Sequence, residues 1–401
     1  MFASSGNRGT SVRSDCYVTI ELNDTRNIHL DIKSKTEILF GRQVRELVMD
    51  MMQFFGIQGA QIQIEDSGAL PYVIAARTEA AISRLIKTDK TYLLPEVAGN
   101  RHSTGFADAR RSRLYLPGDQ PKLMINAGLY GADGIILDLE DSVAPEKKTE
   151  ARYLVRNALR NNDFMGAELM VRINQLPMGL DDLPYIVPQS LNVVLIPKCE
   201  SASQVQEADS LISRLKGDDA RRIWLMPVIE SALGIQNAFG IAGASENVVA
   251  VAIGLEDYTA DLGVERTLEG TESWYARSVL VNACVAAGVQ PIDSVFSVVD
   301  DPEGLRQTAL KSKGMGFRGM GCIHPAQIPV IHACYNPTEN EVEKAKKVVV
   351  AFEAAQKEGK GVISLGSKMI DAPVVKRALQ IVGQAIKNKV LNPNWRDEYE
   401  G

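Results

Sequence analysis

The chain contains 401 residues, 45% of them hydrophobic and 23% charged, which suffices for one large domain and a smaller one. A formal net charge of −6, without a basic run, argues against a nucleic-acid-binding protein. No stretch approaches 18 apolar residues and the polar start MFASSGNRGT lacks a signal-peptide core, so we expect neither membrane insertion nor secretion. Five scattered cysteines, without a C-x-x-C pair, are typical of reduced thiols in a cytoplasmic protein.

The first 110 residues show three successive patterns. Residues 1–15 are small and polar, and we expect them to be flexible. Residues 16–86 have the pattern of a small α+β domain, in which CYVTIEL and IHLDIK alternate like a hairpin around NDTRN, AQIQIED alternates again, and two helical runs complete the unit. Residues 87–110 are polar, without sustained periodicity, and are interpreted as a linker.

Eight short apolar runs, mostly separated by helical patterns, follow in residues 111–335. They are RLYLP, GIILDLED, LMVRIN, VVLIPK, IWLMPVIE, VVAVAIG, PIDSVF and RGMGCIHP. Repeated strand–helix units predict a parallel sheet, and eight of them favour a closed TIM-type (β/α)8 barrel over an open sheet. Residues 336–401 are mainly helical, and we expect this segment to cover the barrel's own mouth or a neighbour's.

Carboxylates follow two neighbouring strands of this predicted barrel. Glu230 ends the run MPVIE, and Asp257 stands at the end of the next one. Adjacent strand ends lie about 5 Å apart laterally, so the two side chains could share a cation. Two carboxylates, water and substrate oxygens form a suitable shell for Mg²⁺. For an isolated glutamate the alternative is a helix-start carboxylate stabilised by the helix dipole.

Arg172 lies inside the apolar strand LMVRIN, where an unpaired arginine is costly to bury. It is either a structural ion pair with the strand-end acids or, as we prefer, a donor facing the mouth that stabilises an enolate oxygen or binds a carboxylate. Other candidates have equally plain structural alternatives. They are Asp138, Glu140, Asp141 and Lys198 as neighbours of the metal or of Arg172, Lys147 and Lys148 as phosphate contacts, His324 as a general base, and Asp371 as a helix cap that still points into a site.

With these residues assembled, the chain from about residue 111 to its end resembles the citrate lyase β subunit and the HpcH/HpaI aldolase and malyl-CoA lyase group. The motifs that carry the resemblance are LYLPGDQPK, DGIILDLEDSVAPEKK, VRIN, IPKCES, IESALGI, GLEDYTADLG, DDPEGL, GFRGMGCIHPAQ and GSKMIDAP. Residues 9–85 resemble the citrate lyase γ subunit, an acyl carrier protein, through SDCYVTIEL, FGRQVRELV and EDSGALPYVIAARTEAAISR. The chain therefore looks like a fusion of carrier and lyase subunits.

The resemblance implies a role for four residues. Glu230 and Asp257 match Mg²⁺ ligands, Arg172 matches the arginine that binds the substrate or polarises its thioester, and Asp371 matches an acid/base that reaches in from the neighbouring subunit of a trimer. It also implies a CoA or phosphoribosyl-dephospho-CoA thioester as substrate, a homotrimer or higher oligomer, and an α-type acyltransferase subunit as a partner.

The resemblance further predicts a reaction. We expect cleavage of a 3-hydroxyacyl thioester of the citryl type to oxaloacetate and an acetyl thioester. The alternatives are a citramalyl- or malyl-CoA lyase acting on free CoA thioesters, a 2-keto acid aldolase, and a non-catalytic carrier or scaffold subunit.

One departure from the carrier pattern concerns the prosthetic arm. The carrier family usually has two serines before the aspartate, and the first of them bears the arm. Here Arg13 and Ser14 precede Asp15, so that an arginine occupies the attachment position. Two alternatives follow: Ser14, or less favourably Ser11, bears the arm, or the arm has been lost and the lyase half uses free CoA thioesters.

Overall fold

The computed structural model describes the backbone of residues 1–357, 363–365 and 368–399. Its N-terminal domain is a four-stranded sheet covered by two helices. The elements are β1 (Phe2–Gly6), β2 (Cys16–Leu22), β3 (Ile28–Ser34), α1 (Glu37–Phe55), β4 (Ala60–Asp66) and α2 (Pro71–Leu85). The strand order is β1-β2-β4-β3, with β3 parallel to β4 and the other pairs antiparallel.

Two predictions for this domain are wrong. The runs CYVTIEL and IHLDIK do not form a hairpin, because β4 lies between β2 and β3 and pairs with both: Ile62 is opposite Ile20 on one side and Leu30 on the other. The N-terminus is not flexible throughout, since β1 pairs with β2 along its length. Ala3 and Ser5, on one face of β1, are buried.

The predicted eight-stranded barrel is confirmed. The strands are β5 (Ser112–Pro117), β6 (Gly134–Asp138), β7 (Glu168–Arg172), β8 (Val193–Ile196), β9 (Trp224–Ile229), β10 (Ala250–Ile253), β11 (Gln290–Ile292) and β12 (Met320–Cys322). All neighbours are parallel, in the order β11-β10-β9-β8-β7-β6-β5-β12. A parallel bridge between Asp293 and Met320 joins the two ends of the sheet and closes the barrel.

Helices surround this barrel, and apolar side chains such as Ile136, Met170 and Met226 fill its interior. Burial on both faces explains why the strands read as continuous apolar runs. The helices are α3 (Pro121–Met124), α4 (Lys148–Asn161), α5 (Leu183–Ile186), α6 (Ala202–Lys216), α7 (Ala232–Gln236), α8 (Ala238–Ala242), α9 (Leu255–Leu262), α10 (Trp274–Ala287), α11 (Pro302–Met315) and α12 (Gln327–Tyr335).

The predicted linker, residues 87–110, lies along the outside of the barrel. It contains one 3-10 turn (Ala98–Asn100) and is held by hydrogen bonds to barrel residues. The indole of Trp224 donates to the carbonyl of Thr104 at 2.9 Å, and Arg110 forms a buried ion pair with Glu168 at 2.6 Å. The segment is therefore fixed on the barrel surface.

The C-terminal segment forms α13 (Glu339–Lys357), β13 (Ile363–Leu365), β14 (Lys368–Ile370), α14 (Ala372–Lys387) and α15 (Trp395–Tyr399). The carboxyl end of α14 contacts the side of the barrel where the strands begin: Lys387 donates to the carbonyl of Ala107 at 2.9 Å. Among the residues described, none from this segment lines the mouth of its own barrel. Covering a neighbour's mouth stays a prediction. Within the same described ranges, no helix combines the length and hydropathy needed to cross a membrane.

Candidate active site

A cavity of about 500 Å³ opens at the mouth of the barrel, beyond the carboxyl ends of the strands. Carboxylates dominate its charged lining, and one arginine lies among them. The charged residues in its wall are Asp138, Asp141, Arg172, Glu230, Glu256 and Asp257. Such a wall attracts cations, and it accepts an anionic substrate only where the arginine or a metal ion offsets the negative charge.

Arg172 ends β7 and is held by carboxylates that follow β6. Its Nε and Nη2 atoms each donate to Asp138 at 2.7 Å, and its Nη1 atom lies 2.9 Å from Oε2 of Glu140. Burial alone would raise the pKa of Asp138, but the hydrogen bonds and charge of Arg172 outweigh burial and lower that pKa. The guanidinium is thus ion-paired and also faces the cavity. Its role as a donor to an enolate oxygen or a carboxylate stays a prediction.

Tyr115 forms part of the floor of the cavity and was not singled out in the sequence. The centre of its ring lies 5.3 Å from Cζ of Arg172, within cation–π distance. Burial raises the pKa of Tyr115, so the phenol stays protonated and can donate a hydrogen bond at neutral pH. Alternation in the run SRLYLP, which places Arg113 and Tyr115 on the inner face of β5, was the available signal.

Lys198 connects the acidic groups on one side of the mouth. Its backbone has φ 48°, a left-handed conformation that is costly for a residue with a side chain, and its N–H donates to Oε1 of Glu230 at 2.7 Å. Its Nζ atom lies 3.1 Å from Glu140, 3.5 Å from Asp141 and 3.7 Å from Asp257. Burial opposes the charged ammonium, but the hydrogen bond to Glu140 and the surrounding carboxylates raise the pKa of Lys198.

Glu230 directly follows β9, and its carboxylate packs against the backbone of Gly254. A Cβ atom at position 254 would lie 2.3 Å from Oε2 of Glu230, so only glycine leaves room for this carboxylate. Burial raises the pKa of Glu230 to about 7, and the charges of Asp257 and Glu140 contribute to the rise. A divalent cation would relieve this conflict between buried negative charges.

Asp257 lies in the first turn of α9 rather than at the end of β10, and its side chain is exposed in the cavity wall. In the part of the chain that the structure describes, no group of three or more His, Cys, Asp or Glu side chains is arranged as a metal site. Two carboxylates facing one cavity, completed by water and substrate oxygens, still suit Mg²⁺, which retains several waters in most protein sites. Glu230 and Asp257 therefore fit this ion.

Three further candidates lie outside the cavity wall. Lys147 donates to the carbonyl of Gly6 at 2.8 Å and to Glu150 at 2.9 Å, so it contacts the N-terminal domain. Lys148 donates to the carbonyls of residues 139 and 140, at 2.9 and 2.7 Å. His324 is exposed, and its Nδ1 atom lies 3.2 Å from the backbone nitrogen of Ala326. The structure thus gives both lysines structural partners.

Asp371 and Ser14 also lie apart from the cavity. Asp371 caps α14, accepting a hydrogen bond from the N–H of Val374 at 3.2 Å, and its side chain is exposed. Ser14 is half-buried in the loop between β1 and β2, with φ 57° and its N–H bonded to the carbonyl of Ser67 at 3.0 Å. Asp371 does not line the cavity of its own barrel, and its action at a neighbour's mouth stays a prediction.

A closed barrel of eight parallel strands, with charged side chains at the carboxyl ends of the strands, is the fold of a TIM-barrel enzyme. Comparison with known proteins identifies the family. The model of the HpcH/HpaI aldolase/citrate lyase family matches residues 111–325, and that of the malonate decarboxylase delta subunit (MdcD) matches residues 5–85. The chain belongs to the HpcH/HpaI aldolase/citrate lyase family, and it is a carbon–carbon lyase with an N-terminal domain of the acyl-carrier type.

Individual relatives agree with this assignment. Citrate lyase subunit beta of Leuconostoc mesenteroides subsp. cremoris is 39% identical over 288 residues, which are 71% of this chain and 95% of that protein. The L-malyl-CoA/beta-methylmalyl-CoA lyase of Rhodobacter capsulatus is 32% identical over 308 residues, covering 71% of this chain and 97% of the relative. The crystal structure of CitE from Mycobacterium tuberculosis with magnesium, acetoacetate and coenzyme A has a TM-score of 0.58 and 31% identity, over 70% of this chain and 99% of that one.

Proposed function

We propose that the chain is a Mg²⁺-dependent lyase that reversibly cleaves a 3-hydroxyacyl thioester of the citryl type to oxaloacetate and an acetyl thioester. The observation that carries the proposal is the position of Arg172, fixed by Asp138 and Glu140 in the wall that also contains Glu230 and Asp257. A metal ion held by Glu230 and Asp257 would serve the hydroxy-acid half of the substrate, and the guanidinium of Arg172 serves the thioester half.

Bond cleavage moves the electron pair of the C–C bond to the thioester, while the hydroxyl group releases its proton to water and becomes the keto group. Water later returns a proton to the group that protonates the enolate carbon, so the protons balance. Magnesium on Glu230 and Asp257 would supply positive charge to the hydroxy-acid half. Arg172 donates to the thioester oxygen as it acquires enolate charge, and loss of one such donor typically lowers kcat by about 10²–10³-fold. Asp371 of a neighbouring subunit protonates the enolate carbon, and removes that proton in the condensation direction.

The relatives support this substrate class. They include citrate lyase beta subunits at 39% and 40% identity, and CitE of M. tuberculosis was crystallised with magnesium, acetoacetate and coenzyme A. Exposure of Asp371 away from its own cavity supports a homotrimer or higher oligomer. An α-type acyltransferase subunit remains part of the proposal because the relatives are named as subunits. Malyl-CoA lyase activity is the second candidate, favoured by the match to R. capsulatus over 97% of that enzyme.

A substrate panel tests the proposal. The purified chain with Mg²⁺ is offered citryl-CoA, citramalyl-CoA, malyl-CoA and a free 4-hydroxy-2-oxo acid, and keto acid release is followed with and without EDTA. We expect EDTA-sensitive cleavage of citryl-CoA with the highest kcat/KM. A preference for malyl-CoA or citramalyl-CoA would mean that the substrate's acyl group is malyl or citramalyl and not citryl. Cleavage of the free acid alone would indicate an aldolase, and no cleavage would favour the scaffold alternative.

A further inference from the structure

Helix α2 of the N-terminal domain is buried on two opposite sides. Ile74, Ala75, Ala81 and Ile82 pack with the sheet of their own domain. Tyr72, Val73, Ala76 and Ala80 belong instead to the same apolar core as the barrel and its helices. A carrier domain that moves independently needs a polar surface on each side that meets water. This helix instead presents a strip of apolar side chains to the barrel.

Charged groups buried at the same interface join the two domains. Arg77 of α2 donates to Asp15 at 3.0 and 2.9 Å, to the carbonyl of Asp119 at 3.1 Å, and lies 3.3 Å from Glu150 of α4. The opposite carboxylate oxygen of Glu150 accepts from the hydroxyl of Ser5 at 2.9 Å. The side chains of Arg77, Asp15 and Glu150 are at most 3% exposed. The contacts of Arg77 and Ser5 with Glu150 exist only while the domains are together.

A second buried pair lies further along the same two helices. Arg156 of α4 donates to both carboxylate oxygens of Glu79, at 3.0 and 2.5 Å, and the amide of Asn157 donates to the carbonyl of Tyr72 at 3.0 Å. Separation of the domains would expose the apolar strip of α2 and break the pairs Arg77–Glu150 and Arg156–Glu79. The interface therefore has the composition of a domain core rather than of a transient contact.

The loop expected to bear the prosthetic arm belongs to this fixed region. Asp15 is part of the Arg77 network, and the adjacent Ser14 is half-buried, with its backbone bonded to Ser67. Arg13, at the family's attachment position, is exposed. A swinging carrier has to present its serine to a modifying enzyme and then to several active sites. Here that serine sits next to a buried ion pair.

We infer that the N-terminal domain is a permanently docked part of the lyase, and that the thioester substrate is carried by free coenzyme A rather than by an arm on Ser14. The assignment of free coenzyme A rests on the proposed function, whereas the docking of the N-terminal domain rests only on the interface. The domain then stabilises one side of the barrel and shuttles no acyl group to another subunit.

Spin labels on the full chain test the docking. All five native cysteines are buried, so the double variant Asp24→Cys/Glu207→Cys, at exposed positions on the two domains, labels selectively. We expect a single narrow distance distribution, as narrow as that of the barrel-only pair Glu207→Cys/Gln307→Cys, and unchanged by Mg²⁺ and citryl-CoA. Ala80→Arg, which puts a charge into the apolar interface, should broaden the distance distribution between the labels at positions 24 and 207 but not that of the barrel-only pair. A broad or ligand-dependent distribution in the wild-type background would overturn the docking.

A separate measurement tests the carrier. Intact mass of the chain from its native host should equal the sequence mass, and Ser14→Ala and Ser11→Ala should cleave citryl-CoA with a kcat/KM within about twofold of wild type. A mass increase that maps to either serine, or loss of activity in Ser14→Ala alone, would overturn the free coenzyme A assignment. Absence of cleavage from every CoA thioester would overturn the proposed function and this assignment together, while the spin-label distances would still decide the docking.

Discussion

Substitution of Arg172 by lysine separates its catalytic role from its structural one. Lysine keeps a positive charge beside Asp138 and Glu140, which are 1% and 4% exposed, so neither carboxylate is left buried without a counter-ion. It loses the planar fork that donates to Asp138 at 2.7 Å through two nitrogens, while the third nitrogen, 2.9 Å from Glu140, has a second N–H for the substrate. We expect kcat for citryl-CoA cleavage to fall by about 10²–10³-fold, equal to about 2.7–4 kcal/mol of transition-state stabilisation.

Stability should change far less than activity. Arg172→Met would remove the charge and leave the buried Asp138 without a counter-ion, a loss of about 3–5 kcal/mol in the free energy of unfolding. Arg172→Lys should lose only a minor part of it. Arg152 provides a matched control. It pairs with the buried Asp182 at 2.6 Å and is 13% exposed against 14% for Arg172, but it lies outside the cavity.

The assay is steady-state cleavage of citryl-CoA at saturating Mg²⁺, combined with urea unfolding of each variant. Arg152→Lys should keep wild-type kcat and show a comparable change in stability. The reasoning about an enolate donor fails if Arg172→Lys turns over within about threefold of wild type, or if Arg152→Lys loses as much activity as Arg172→Lys.

Three further predictions concern the metal, the subunit contact and pH. Glu230→Gln should weaken Mg²⁺ binding in calorimetry by more than about tenfold. Gly254→Ala should also weaken Mg²⁺ binding, because its Cβ would lie 2.3 Å from the carboxylate of Glu230. Unchanged binding in both variants would exclude Glu230 as a ligand. Asp371→Asn should abolish turnover while Mg²⁺ still binds. Mixing this variant with Arg172→Lys under subunit exchange should restore activity, because mixed oligomers contain mouths with both native groups. No restoration would mean that each site uses Asp371 of its own chain. Burial would raise the pKa of Glu150, but Arg77 and Lys147 outweigh burial and lower that pKa below 4.5. The ionised carboxylate therefore stabilises the fold above the unfolded pKa, and this contribution is lost as pH falls, from about pH 5 downward. In urea unfolding, Glu150→Gln should be less stable than wild type at pH 7 and lose less stability on acidification; identical pH profiles would contradict this assignment.

The barrel could be predicted from sequence because its strands are buried on both faces, so that each reads as an uninterrupted apolar run that ends at a polar mouth. Pairing in the small sheet could not, because alternation shows which face of a strand is buried but not which strand lies beside it. β4 is separated from β3 by α1, yet it pairs with both β2 and β3. β1 was missed because ASSG is small and polar, and only its backbone bonds to β2 make it a strand.

In the candidate site, too, some contacts could be predicted from the sequence and others could not. Residues at neighbouring strand ends, such as Asp138 of β6 and Arg172 of β7, could be placed together because parallel strands present their carboxyl ends to one edge. The partner of Lys147 could not be found, because it is the carbonyl of Gly6, 141 positions away in another domain. The space for Glu230 also depends on a distant residue: it is provided by Gly254, and an isolated glycine in a sequence carries no signal of what approaches it.

The closure of the barrel has a consequence for its dynamics. β11 and β12 are three residues each, and a single bridge between Asp293 and Met320 joins them, with backbone bonds from Asp293 to Gly319 at 2.8 Å and from Gly321 to Asp293 at 3.2 Å. A seam with so few ladder bonds opens more readily than the longer pairs opposite it, and its amides should exchange with solvent sooner. Gly321 also lines the cavity, so this short seam is part of the wall of the reaction chamber.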